Sequence, residues 1–332
     1  MINKWKEESE NLLVLDAGDL LYPRVSESPT NDRKEIMNLK AEAIVAAFNY
    51  MSCDAITIGQ DDLLWGKENL LGVLNEAEFP VVSANLMDSR SGKPLFRPYA
   101  IKQVRGLKVG IFGLLSRPGR GTEGGFSDCT VLDPLVTAQK MVSTLRKKTD
   151  FIILLSNLGY AKDLELARKV EGINVIVGGH TGVNLSYPRI IRNTVVLQIA
   201  KRGRYLGRLD ITIHDLSRPF INLATMAMLR RRVDGIDNQL KRLDNDGTQE
   251  SEKKRSKRET LKRRKAETER ILKLYEGHNE MTNRIVPLTE NVAKDAECGR
   301  ILKAYLDQIA EAEKAFLLKA GSSSRAPTKR PE

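Results

Sequence analysis

Asp150–Asn184, DFIILLSNLGYAKDLELARKVEGINVIVGGHTGVN, is the stretch whose reading decides the fold. An apolar run rich in Ile and Leu ends at Ser156-Asn157, and a short amphipathic stretch follows. A second apolar run then ends in Gly178-Gly179-His180-Thr181-Gly182. The pattern predicts strand, turn, helix, strand, turn, with polar side chains at both strand ends. In an open α/β sheet that edge is where ligands bind, because loops from neighbouring strands converge there. A His directly after two glycines is well placed to face the resulting crevice.

Other segments deliver polar residues in the same way. Leu12–Asp16 is a short apolar run followed by Ala17-Gly18-Asp19, so a carboxylate sits just past a strand end. Asp54–Ile58 predicts a second strand, ending in Gly59-Gln60-Asp61-Asp62, and Phe79–Ser83 a third that delivers Ala84-Asn85. Helical apolar spacing over 31–51 (Ile36, Leu39, Ile44, Ala47, Phe48) predicts a helix packed on the sheet. Arg97–Val104 and Leu107–Leu115, joined by Arg105-Gly106, predict a hairpin. Ser116–Asp128 is Gly-rich and polar, a long loop of the kind that borders sites. Asp133–Lys148 reads as helix, and Thr194–Ala200 and Tyr205–Ile213 as closing antiparallel strands. Asp62 and Gly66 read as turn positions.

At 332 residues with 41% hydrophobic content, the chain can build one large α/β domain plus an accessory segment. No apolar run approaches the roughly 20 residues of a membrane helix. The opening MINKWKEESE lacks the apolar stretch of a signal peptide, so the sequence as it stands predicts a cytoplasmic protein. Cys53, Cys129 and Cys298 are far apart, without metal-site spacing, and read as free thiols. Net charge is +11, but the segment Glu252–Lys265 alone holds nine Lys/Arg against two Glu. That run lacks interleaved aromatics and reads as a solvated helix face, which argues against nucleic acid as a partner.

From about Asn222 the texture changes. Leu229, Val233, Ile236, Leu240 and Leu243 form an a/d seam of coiled-coil type. The division expected is a domain over 1–218, a helical region over 222–318 containing the basic segment 252–265, and a disordered tail over 319–332. The helical region is the candidate for self-association or a protein partner.

Asp, Asn and His gathered at one sheet edge are what a two-metal hydrolase needs, where metals bridge a phosphate oxygen and acidify a bound water. At this point the sequence resembles the metallophosphoesterase domain of the 5′-nucleotidase/UDP-sugar hydrolase (UshA-like) family, in the calcineurin-like group. LLVLDAGDLLYP resembles the family's apolar strand plus A-G-D, and DAITIGQDDLLWG its D-A-x-x-x-G-N-H-E-F-D-x-G. FPVVSANL and LKVGIFGLL resemble the segments that follow. ILLSNLG stands where S-H-L-G is expected, and VIVGGHTG where G-G-H-T-H or G-G-H-S-H is expected. The six matches fall in order between Leu12 and Ile213. The resemblance implies a four-layer α-β-β-α sandwich followed here by a helical, coiled-coil-like region.

Its departures bear on activity. The family's opening D-x-H strand has no counterpart in this sequence. Asp19 matches the metal-bridging Asp and His180 a metal-binding His. Gln60 replaces the Asn ligand, Asn157 replaces a His ligand, and Gly182 replaces the last His. Asp61 replaces the His that stabilises the transition state, and so marks the catalytic position. Asn85 is the candidate for substrate contact, against a plainer role bonding local backbone. The implied cofactor is a divalent metal (Mn, Mg, Zn or Ca), weakly held or lost, because the softer imidazole donors are gone. The expectation is a degenerate, catalytically impaired domain that binds a nucleotide or phosphoester, or serves as a scaffold. The alternative is an active periplasmic hydrolase whose D-x-H strand and export signal lie outside this sequence.

Overall fold

The computed structural model describes residues 1–9, 11–23, 31–118, 124–200, 203–247 and 249–323. Its strands in the first half are β1 (Leu15–Asp16), β2 (Ala55–Thr57), β3 (Val81–Val82), β4 (Leu86–Asp88), β5 (Tyr99–Val104), β6 (Leu107–Leu115) and β7 (Cys129–Val131). They continue as β8 (Phe151–Asn157), β9 (Val175–Gly178), β10 (Arg189–Ile191), β11 (Thr194–Gln198), β12 (Tyr205–Thr212), β13 (Phe220–Asn222) and β14 (Asn279–Pro287). The helices are α1 (Ile2–Glu8), α2 (Asn31–Tyr50), α3 (Gly66–Val73), α4 (Pro134–Leu145), α5 (Tyr160–Lys169), α6 (Leu223–Asn245), α7 (Glu252–Leu274) and α8 (Ala296–Ser323).

A parallel three-stranded sheet, β1-β2-β3, lies against a six-stranded mixed sheet, β10-β11-β9-β8-β6-β5. Side-chain alternation along the strands builds the layers. Ile153 and Leu155 of β8 join Ile111, Ala55 and Val82 in an apolar layer between the sheets. Ile152 and Leu154 point the other way, with Phe112 and Leu114, onto Ala138 and Val142 of α4 and Leu166 of α5. Ile56 and Ile58 face outward onto Ala41 and Val45 of α2 and Leu70 of α3. The order is therefore helices, sheet, sheet, helices, as the resemblance implied. Every residue of β8 is buried, because a parallel strand covered on both faces needs an unbroken apolar run.

Local signals set the ends of these elements. Asp133 caps α4 by accepting from the Val136 N–H at 2.9 Å, with Pro134 in the first turn. Arg105 and Gly106 both adopt left-handed φ (48° and 86°), which a two-residue I′ hairpin between β5 and β6 demands. Gly113 of β6 sits close against β2 and β3 of the other sheet. A Cβ there would lie 2.2 Å from both Thr57 Oγ1 and the Val82 carbonyl. Gly113→Val should therefore cost about 2–3 kcal/mol by overpacking, seen in urea as a lower midpoint at unchanged slope. A variant within about 0.5 kcal/mol of the parent would mean the sheets can part there at no cost.

Three expectations need correction. β11 runs parallel to β9 and antiparallel only to β10, because the chain first turns back through β10 at Arg192-Asn193. The region from 222 is not continuously helical: β14 pairs with β12 over eight residues and with β13, in a third sheet ordered β12-β14-β13. Met281 of β14 is 1% exposed and joins the layer between the sheets with Phe220, so this segment is tied to the preceding core. The seam of α6 meets α7 of the same chain. Asp237–Lys265, Asp244–Arg258 and Asp246–Lys254 pair in descending and ascending order, the signature of an antiparallel hairpin. Leu229 and Ile236 are buried on one side and Leu261 and Thr268 on the other.

α8 reaches back to the first half of the chain. Lys40 of α2 pairs with Glu313 at 2.8 Å, and Tyr50 and Asn3 both donate to Asp295. α8 runs through Ser323, past the expected start of the tail; residues 324–332 of that tail lie outside the described residues. Among the described residues, no helix is long and apolar enough to cross a membrane.

Candidate functional site

Five strand ends deliver polar residues to one place. Asp19 follows β1, Gln60–Asp62 follow β2, Ser116 follows β6, Asn157 closes β8 and His180 follows β9. All lie at the carboxyl ends of parallel strands, drawn from both sheets, where such folds bind ligands.

Asp19 is the centre. Its Oδ2 lies 2.9 Å from His180 Nδ1, and its Oδ1 accepts from the Asp61 N–H at 3.0 Å. Burial pushes the Asp19 carboxyl up, but hydrogen bonds from His180, the Asp61 backbone and Asn157 outweigh it, so its pKa lies below the usual carboxylate range. Asp19 and His180 both adopt left-handed backbone (φ 58° and 69°). That conformation costs a non-glycine residue energy and is typical of functional or tightly determined positions. Glycine makes the approach possible: a Cβ on Gly59 would fall 2.1 Å from Asp19 Oδ1.

Asp62 fixes the Asp19 loop. Its Oδ2 accepts from the N–H groups of Asp19 (2.9 Å) and Gly59 (2.8 Å), and its Oδ1 from Leu21 (2.8 Å). Burial, reinforced by the nearby Asp19 charge, pushes the Asp62 carboxyl up to about 7. The turn reading therefore understates it, since one carboxyl holds two loops together.

The amides at the ligand positions face the protein's own groups. Gln60 Nε2 donates to Ser116 Oγ at 2.7 Å and to the Arg117 carbonyl at 2.8 Å. Asn157 is fully buried, and its Nδ2 donates to the Ala17 carbonyl at 3.1 Å. Gln198, unremarked in the sequence, supports the His180 turn from β11 by donating to the Gly179 carbonyl at 2.7 Å. Asn85, the candidate for substrate contact, is fully buried against the end of β6. It donates to the Leu115 and Leu132 carbonyls and accepts from the Leu115 N–H, so its amide is spent on backbone. The bonding partners are distant in sequence, unlike a local Asx turn.

This donor set does not fit a two-metal centre. Asp19 and His180 turn onto one another, and Gln60 and Asn157 bring neutral amide oxygens where charged carboxylate or imidazole donors would hold a metal more tightly. Among the described residues, no three His, Cys, Asp or Glu side chains are grouped so as to hold a metal ion. The arrangement is a self-satisfied hydrogen-bond network around one carboxylate.

Comparison with known proteins gives the same lineage as the motifs. No family model matches the chain. It is 29% identical over 252 residues to the trifunctional nucleotide phosphoesterase protein YfkN of Bacillus subtilis, covering 64% of this chain and 17% of that protein. A 5′-nucleotidase precursor from Thermus thermophilus is 31% identical over 65% of this chain and 44% of its own, with a TM-score of 0.51. The crystal structure of the calcineurin-like phosphoesterase YfkN, at 18% identity, overlays 93% of this chain and 87% of its own with a TM-score of 0.60. That last likeness concerns the fold alone. The chain spans about half or less of the length of the curated relatives it matches.

Proposed function

We propose that this chain, a 5′-nucleotidase-like metallophosphoesterase domain by its relatives and its fold, binds a nucleotide or other phosphoester without hydrolysing it. The observation that supports this reading is the closure of Asp19 onto His180 and the Asp61 N–H. Hydrolysis in this class of chemistry needs a metal-activated water held between two ions. The carboxylate that would bridge them is hydrogen-bonded here to His180 and the Asp61 N–H. Asp61 stands where an imidazole would neutralise charge on a phosphoryl group; a carboxylate there repels it instead. What remains is a sheet edge at which the second His180 nitrogen is not bound to Asp19.

The test combines metal content, turnover and binding on the full chain. After dialysis against Mn²⁺, elemental analysis should find well under one equivalent of metal per chain. Turnover of AMP or bis(p-nitrophenyl) phosphate should stay at the level of Asp19→Asn protein with Mn²⁺, Mg²⁺, Zn²⁺ or Ca²⁺ present. Calorimetry with AMP should still register binding, weakened in His180→Ala. About two equivalents of metal together with turnover lost in His180→Ala would establish a working hydrolase and sink the proposal. So would the absence of any heat with AMP.

A further inference from the structure

We propose that the outward surface of the α6–α7 hairpin docks the phosphate backbone of duplex nucleic acid. The charge is concentrated there: residues 223–274 hold sixteen Lys/Arg against nine Asp/Glu, a net +7 of the chain's +11. The sequence alone suggests that the basic run is a solvated helix face. The hairpin geometry pairs five of the nine acids with cations along the seam, while Asp234, Glu252, Glu259 and Glu267 stay exposed. Asp237, Asp244, Asp246, Glu250 and Glu269 are all taken by three cations of α7, namely Lys254, Arg258 and Lys265. These three lie along the seam beside buried Leu261 and Thr268.

The remaining α7 cations point away from the seam. Lys253, Lys257, Lys262, Arg263, Arg264 and Arg270 are exposed, and among the described residues none has a carboxylate within ion-pair distance. Their spacing sets where they stand. Lys253, Lys257 and Arg264 share one flank at intervals of four and seven, while Arg263 and Arg270, seven apart, share the outermost line with Glu259 and Glu267. α6 adds exposed Arg230, Arg231, Lys241 and Arg242. Each helix has 23 residues, about 34 Å of length, which matches about ten phosphates along one strand of a duplex.

The same surface tells against other polyanions. Residues 223–274 include no aromatic residue, so the stacking that holds single strands is missing. A membrane-surface helix sets an apolar face against the lipid, opposite its cations. Here the apolar face of α7 is used against α6. A surface on which exposed cations outnumber exposed acids, and which offers no aromatic ring for stacking, fits an array of phosphates. The absence of interleaved aromatics therefore excludes one mode of nucleic-acid binding and leaves the backbone mode open.

The test is fluorescence anisotropy of a labelled 20-base-pair DNA duplex of mixed sequence, titrated with the full chain. Binding at 50 mM NaCl should fall by about 100-fold at 200 mM, the slope for about four neutralised phosphates. The combined variant Lys257→Gln, Lys262→Gln, Arg263→Gln, Arg264→Gln should weaken binding at least about tenfold at 50 mM. A control removing equal charge from other elements, Lys93→Gln, Lys108→Gln, Lys140→Gln, Lys147→Gln, should leave it within about twofold. Should the first variant lose helicity by circular dichroism, the pair Lys262→Gln, Arg263→Gln replaces it, with at least about a threefold loss expected. No saturable duplex binding at 50 mM, or equal losses in both variants, would overturn the proposal. So would binding to phosphatidylserine vesicles without binding to the duplex.

Discussion

Asp62→Ala should destabilise the chain by about 3–5 kcal/mol, a large part of the stability of an ordinary domain. The Asp62 side chain is 1% exposed and accepts three backbone N–H groups, from Asp19, Gly59 and Leu21. Alanine would leave all three buried and unpaired. Asp62→Asn separates shape from chemistry. It preserves volume, but an amide has one acceptor oxygen, and its NH₂ would face an N–H that now finds a carboxylate oxygen. About 1–3 kcal/mol should be lost. Urea unfolding of the three proteins at one pH checks the order, with Asn between parent and Ala. An alanine variant within about 1 kcal/mol of the parent would mean that Asp62 does not hold the two loops. The effect reaches the site because the Asp62–Asp19 bond secures Asp19 in its left-handed conformation. Without it, the carboxylate loses its register against His180.

Much of this was legible in the sequence because strand ends are. Apolar runs that stop abruptly at Asp16, Ile58, Asn157 and Gly178 mark where side chains leave the core, and the parallel order of the strands puts those ends together. What stayed hidden depends on partners distant in sequence. Nothing local shows that Asn85 will spend its amide on Leu115 and Leu132, thirty and forty-seven positions away. β14 was missed because its alternation is weak and polar, with Asn279, Glu280, Asn283 and Arg284 among its nine residues. Only pairing with β12, more than sixty residues upstream, fixes it as a strand. The α6 seam read as coiled coil because periodicity identifies a packed face without saying whose helix will cover it.

Asp163 illustrates the same blindness and gives the second large effect. In the sequence it is one acid among the charged residues of an amphipathic helix. In the fold it is fully buried on α5 against β8 and β9, and accepts from the Ser156 hydroxyl. Its second oxygen has no hydrogen-bond partner among the described residues, and a Cβ on Gly178 would lie 2.4 Å from it. Burial pushes the Asp163 carboxyl from 3.8 up to about 7, against the lowering effect of Ser156. The folded chain therefore keeps a proton that the unfolded chain releases near pH 3.8. This contribution to stability is complete below that pH and is lost as pH rises through about 7. Asp62, at about 7, and Asp16, raised by burial to about 6, act with the same sign. The parent should thus be more stable at pH 5 than at pH 8. Asp163→Asn removes one proton from that linkage, whatever fixed cost its amide incurs in the same cavity. Relative to the parent, the variant should gain about 2–3 kcal/mol between pH 5 and pH 8. Urea unfolding at half-unit pH steps reads this directly as converging or crossing stability curves. Parallel curves would show that Asp163 ionises normally in the fold, and that a charged carboxylate is tolerated directly beneath the Ser156-Asn157 strand end.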